Sequence, residues 1–209
     1  YTNVRFGLMA FNDGSDGGRV LFRVASMDDT RRTAMKSVVN GLNPETITPL
    51  SETLWEAYRY LAGLGVTYGN PATESPAQDS CAQNTSNAAC NNGGYYNAIA
   101  AGNSSYNDGT YITPYTFGCQ KSFIIYVTDG DPYGDGDADT NIEATIPTSC
   151  DGSNCLDDLA GFMYSNDIVS GLPEAQTVRT YTIALGTGIS TGGQALLDET
   201  ATEGGGDYL

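Results

Sequence analysis

No histidine occurs in the 209 residues. That excludes Ser-His-Asp and Cys-His catalysis, because both need an imidazole base beside the nucleophile. Basic residues are also scarce: 9 Lys and Arg stand against 25 Asp and Glu, for a formal charge of -16. Nucleic acid and anionic membrane are therefore poor partners. No apolar run approaches the ~20 residues of a membrane span. No Gly-x-x-x-x-Gly-Lys-Ser/Thr loop is present, which removes nucleotide use by that route. No Cys-x-x-Cys pair occurs either, so zinc-knot and redox-motif readings are weak.

Five cysteines remain: Cys81, Cys90, Cys119, Cys150 and Cys155. Cys81 and Cys90 lie in an Asn/Ser/Ala-rich stretch, and Cys150 and Cys155 flank Asp-Gly-Ser-Asn. Both pairs, Cys81–Cys90 and Cys150–Cys155, read as local loop staples, which places the chain in an oxidising, extracellular or cell-surface setting. Cys119 is left without a partner.

The stretch Lys121–Gly130 organises the rest. Phe123 to Val127 is an unbroken apolar run rich in β-branched and aromatic residues. It predicts a strand buried on both faces. The run stops at Thr128-Asp129-Gly130, and ligands of open α/β sheets bind just beyond the carboxyl ends of strands. Asp129 is then either a turn residue or a ligand.

Upstream, residues 3–11 and 19–25 read as a hairpin across a turn-rich loop. Asp28 or Asp29 opens a helix to Asn40, with Ala34, Val38 and Val39 inward. Thr48 is a good N-cap and Pro49 fits the first position of the next helix. Leu50, Leu54, Ala57, Tyr58 and Leu61 form its apolar stripe. Residues 66–118 lose all periodicity and read as a disulfide-containing insertion, with a short helix near Tyr95 to Ala101. Residues 129–149 form an acidic loop. Downstream come a helix at 155–166 (Leu156, Leu159, Ala160 and Met163 inward), a strand at 178–185, a helix at 193–203 and the start of a further strand. This order predicts one α/β domain over 1–209: a mainly parallel sheet with one antiparallel edge strand and helices on both faces.

Three features in order carry a family likeness: the opening Val4-Arg-Phe-Gly-Leu-Met-Ala-Phe strand, Thr48-Pro-Leu before an amphipathic helix, and Val127-Thr-Asp-Gly after a strand. Together they resemble a von Willebrand factor A domain. Cys119-Gln-Lys-Ser-Phe, Asp157-Asp158-Leu-Ala, Val178-Arg-Thr-Tyr-Thr-Ile and Ala201-Thr-Glu-Gly-Gly-Gly-Asp-Tyr further resemble the N-terminal region of type IV pilus tip-associated adhesins of the PilC/PilY type. The resemblance implies a metal-ion-dependent adhesion site holding Mg²⁺ or Ca²⁺, with Thr48 and Asp129 as two of its ligands. It implies no enzyme. Its partners would be pilus subunits and a protein or cell-surface ligand offering an acidic group. Hydroxyl and carboxylate oxygens suit such hard cations. The Asp-x-Ser-x-Ser loop of the family is missing. Asp13-Gly-Ser-Asp-Gly is similar, but it leads into a β-alternating segment where the family has a helix. On this reading Tyr1 begins at the second strand of the domain, and the first strand and last helix lie outside the chain.

Asp131, Asp135, Asp137 and Asp139 form a second candidate calcium site. Their alternate spacing resembles the opening of an EF-hand loop, but position 6 is Thr140 and position 12 is Ile146. A solvated acidic loop is the competing reading. Two other functions stay open: a structural or assembly spacer of a pilus tip with an incomplete metal site, and a secreted carboxylate-based hydrolase, for which nothing selects a pair of carboxylates.

Overall fold

The computed structural model describes residues 4–12, 16–42, 47–69, 110–147, 149–150, 152 and 154–209. The predicted Cys81–Cys90 staple, the short helix near Tyr95 and most of the 66–118 insertion lie outside them. The described elements are β1 (Arg5–Phe11), β2 (Gly18–Ser26), α1 (Asp29–Asn40), α2 (Leu50–Ala62), β3 (Ser122–Thr128), α3 (Asp139–Glu143), α4 (Leu156–Ser165), β4 (Val178–Ala184), α5 (Thr191–Glu203) and β5 (Gly205–Tyr208). None of these helices is long and apolar enough to cross a membrane.

The chain is mixed α/β, but among the described residues the strands form two sheets and not the predicted single one. β1 and β2 make an antiparallel pair, and β3, β4 and β5 make a separate parallel sheet in that order. β2 begins at Gly18, so the segment following the Asp13-Gly-Ser-Asp-Gly stretch is a strand and not a helix. A cavity of about 530 Å³ is lined by residues of both β1 and β3, Leu8, Ala10, Ile124 and Tyr126 among them, and by Ala57 and Leu61 of α2. Neither bordering strand has a hydrogen-bonded neighbour on the cavity side among the described residues.

α2 is the central pillar. Its predicted stripe, Leu50, Leu54, Ala57, Tyr58 and Leu61, is buried, but so are Ser51, Glu52, Thr53, Trp55, Glu56 and Tyr60. The helix is enclosed on nearly all sides: by β2 (the Tyr60 hydroxyl accepts from Val24 N at 2.7 Å), by Tyr126 of β3, whose hydroxyl donates to Leu50 O at 2.8 Å, and by Tyr111 and Tyr115. Gly63 at φ 71° ends it in the left-handed region that only glycine adopts freely. The Thr48 side chain does not cap it: Pro49 holds the N-cap position, and Thr48 instead pairs in both directions with Tyr133 at 3.2 Å.

Burial of β3 on both faces also fails. Tyr126 and Thr128 are buried, whereas Phe123, Ile125 and Val127 are exposed, Ile125 to 65%. The reason is where the helices pack. α4 and α5 both lie on the face carrying Val178, Thr180 and Thr182: Thr182 Oγ1 donates to Leu197 O at 2.7 Å, and Gly204 is wedged between Thr180 and Ala160. No described helix covers the other face. In α1, Ala34 and Val38 pack on Leu21 and Phe22 as expected, joined by Met35, but Val39 faces out. α4 buries Leu156, Leu159, Ala160 and Met163 completely, as predicted.

Candidate functional site

The acidic loop is not irregular throughout. It passes the carboxyl end of β3, pairs with Thr48 at Tyr133, and closes in the one-turn helix α3. It thereby meets the N-terminal end of α2, the β1–β2 turn and the residue preceding Cys155.

Thr48 and Asp129, far apart in sequence, arrive at one place. Both line the end of the apolar cavity. Thr48 Oγ1 lies 3.2 Å from where a side chain on Gly130 would begin, so glycine there keeps the hydroxyl's approach open. Asp129 is exposed and Thr48 half-buried. The pair offers one carboxylate and one hydroxyl, too few donors for a complete cation site, since Mg²⁺ takes six and Ca²⁺ six to eight.

The four carboxylates of the second candidate site do not converge. Asp131 turns to α5, where its Oδ1 accepts from Ser190 N at 2.8 Å and Ser190 Oγ at 3.0 Å. Gly193 is needed for that: a Cβ there would sit 2.2 Å from Asp131 Oδ1. Asp139 accepts from Cys155 N at 3.3 Å. Both act as helix-end acceptors. Asp135 turns inward instead. It accepts from Ser51 N and from Asn154 Nδ2, each at 2.6 Å. Asn154 is fixed in turn, its Oδ1 accepting from Ser51 Oγ at 2.7 Å and Leu156 N at 2.9 Å.

Facing Asp135 is a residue that the sequence reading did not single out. Glu52 is 0% exposed. Its Oε1 accepts from Gly136 N at 2.7 Å and Ala138 N at 3.1 Å, an approach made by Gly136 at φ 152°. Its Oε2 is buried and takes no N–H or hydroxyl donor, and the Glu52 carboxyl meets that of Asp135. Burial, then the hydrogen-bonded contact with the Glu52 carboxyl and its charge, push Asp135 up to about 8. Asp16 from the β1–β2 turn stands beside Asp137, its carboxyl raised first by burial and then by Asp137. Tyr68 completes the surround, pushed up to about 12 by burial and by the charge of Glu52. No ion pair is seen for Asp16, Glu52, Asp135, Asp137 or Asp139 among the described residues. Asp135, Asp137 and Asp139 lie in a stretch poor in base: Lys121 is the only basic residue between Arg59 and Arg179.

The signal for Glu52 was present but faint. Glu52 and Glu56 sit one turn apart in a helix whose other positions include Leu54, Trp55, Tyr58 and Tyr60, and that composition leaves little room for a solvated polar face.

Of the predicted staples, Cys150 and Cys155 are bonded, with Cα atoms 5.3 Å apart. Glu143 lies close to them, but both sulfurs are committed to the disulfide and cannot act as thiolate ligands. Cys119 is an exposed free thiol whose Sγ donates to Glu174 Oε2 at 2.6 Å. A scan against protein-family models and searches of curated proteins and of solved structures return no match to this chain.

Proposed function

We propose that this chain is an extracellular, metal-dependent adhesion or ligand-binding module of von Willebrand A type, part of a type IV pilus tip adhesin. The observation that carries this reading is the meeting of Thr48 and Asp129 at the carboxyl end of β3, where the family resemblance assigns two ligands of one cation. A Mg²⁺ or Ca²⁺ ion there, incompletely neutralised by its protein ligands, would accept a carboxylate from a partner as a further ligand. No bond is made or broken; the output is adhesion.

The apolar cavity supports the same reading. A strand laid between β1 and β3 would join the hairpin and the parallel sheet into one sheet and satisfy both unpaired edges. In the family, the loop after that strand supplies the Asp-x-Ser-x-Ser ligands that Thr48 and Asp129 lack here.

The test is calorimetric titration with Mg²⁺ and Ca²⁺ of a version of the chain carrying a segment for this cavity, against Asp129→Ala. We expect at least about tenfold weaker binding in the variant. Equal affinity overturns the adhesion-site reading and leaves the structural spacer.

A further inference from the structure

We propose that the acidic loop is latched to the start of α2 by one proton held between the carboxyls of Glu52 and Asp135, so that alkali opens the latch. The hydrogen bonds of the two segments cross over. Ser51 N donates to Asp135 Oδ1 at 2.6 Å, and Gly136 N donates to Glu52 Oε1 at 2.7 Å. Neighbouring residues of helix and loop thus hold each other's carboxyl, which brings the two carboxyls together. Ala138 N, 3.1 Å from Oε1, and Asn154 Nδ2, 2.6 Å from Asp135 Oδ2, complete the set of donors. What remains is Glu52 Oε2, buried and without an N–H or hydroxyl donor. Two ionised carboxylates in that position repel one another. One proton between them turns the repulsion into a short, charge-assisted hydrogen bond.

The geometry favours a proton over a metal ion. Among the described residues, three ligand atoms converge only at Glu143 and the Cys150–Cys155 sulfurs, and not at this pair. The surroundings offer no other counter-charge. Asp137 and Asp139 of the acidic loop, Asp16 of the β1–β2 turn, Tyr68 after α2 and Tyr126 of β3 stand around the pair, and each is neutral or negative. No cationic side chain pairs with these carboxyls among the described residues. Burial, then Glu52, accordingly push Asp135 up to about 8 from the ordinary 3.8. The folded state therefore binds this proton more tightly than the unfolded state does. The stability it supplies is complete in acid, declines as pH rises above about 4, and is gone above about 8. Opening the latch also reaches Thr48. Tyr133, two residues before Asp135, exchanges backbone hydrogen bonds with Thr48 at 3.2 Å in both directions, so a freed loop loosens that pairing. The latch itself does not depend on a cation at Thr48 and Asp129.

The experiment is amide hydrogen exchange of the full chain, followed by nuclear magnetic resonance at Gly136 and Ala138 from about pH 6 to 9 with a chelator present. After correction for the intrinsic exchange rate, protection of both amides in wild type is expected to fall at least about tenfold across that range. Glu52→Gln replaces Oε2 by an N–H donor towards Asp135 and keeps Oε1 as the acceptor, so it makes the latch permanent; its protection should stay within about twofold. Asp137→Asn changes an exposed neighbour and should keep the wild-type fall. A wild-type protection that does not change with pH overturns the proposal. So does a fall of the same size in Glu52→Gln, or its disappearance in Asp137→Asn. If Glu52→Gln does not fold, the carboxyl carbon resonance of Asp135 in wild type decides. Titration in the alkaline range supports the latch, and titration at the ordinary carboxylate value overturns it.

Discussion

Glu52 and Glu56 stand one turn apart on α2, both completely buried, in opposite circumstances. Glu56 is surrounded by donors: Thr67 N at 3.2 Å, Tyr68 N at 2.8 Å and the Tyr111 hydroxyl at 2.5 Å. Its carboxyl is a structural knot that ties the segment after α2, and Tyr111 on the return of the chain, to the helix. Glu52 has donors on one oxygen only and carboxyls on its other side. Burial alone does not mark a functional carboxylate. The identity of the facing groups does, because donors complete a carboxylate whereas other carboxylates leave it needing a cation or a proton.

The comparison can be broken most forcefully at Glu56. Glu56→Ala leaves two backbone N–H groups and a tyrosine hydroxyl without their acceptor, and is expected to cost about 3 kcal/mol, read from the denaturant midpoint. Glu56 also predicts a pH dependence. Burial raises its pKa above the ordinary value of 4.5, even against the three hydrogen bonds. The folded state therefore binds its proton more tightly than the unfolded state does. This group's contribution to stability is largest below about pH 4.5 and declines as pH rises from there towards the folded pKa. Comparing denaturant midpoints across that range, Glu56→Gln should show a flatter decline than wild type; an identical slope would refute the assignment.

Asn154→Ala tests the other member. It removes the Nδ2 donor to Asp135 and the acceptor for Ser51 Oγ and Leu156 N. A loss of about 1–2 kcal/mol is expected, read from the denaturant midpoint. The smallest effect is expected for Glu52→Gln, where an amide replaces a carboxylate that faces Asp135. Stability should stay within about 1 kcal/mol of wild type or rise. If Glu52→Gln costs as much as Glu56→Ala, the two glutamates are equally structural and the contrast between them fails.

Much of the architecture was legible along the chain because local periodicity and capping speak for themselves. The Ser122–Thr128 strand, the inward face of α4, the hairpin, and Asp28, which caps α1 by accepting from Arg31 N at 2.7 Å, follow from alternation, helical spacing and short polar caps. The Cys150–Cys155 bridge follows from a short loop between two cysteines. Thr48 and Asp129 could be named as ligand candidates from their motifs alone. What the linear pattern could not carry was which faces and edges meet. A run such as Phe123–Val127 has the same composition whether its second face is covered or bare, and the packing of α4 and α5 on one side left Ile125 exposed. The acidic run looked like one cluster because spacing along a loop says nothing of direction. Backbone donors at Ser190 and Cys155 drew Asp131 and Asp139 away, and the Ser51 N–H with the Asn154 side-chain amide drew Asp135 inward onto Glu52. By itself the sequence determined the elements and the excess of acid over base. Only the tertiary structure decided which carboxylates are completed by donors and which face one another, because that depends on contacts between segments distant in the chain.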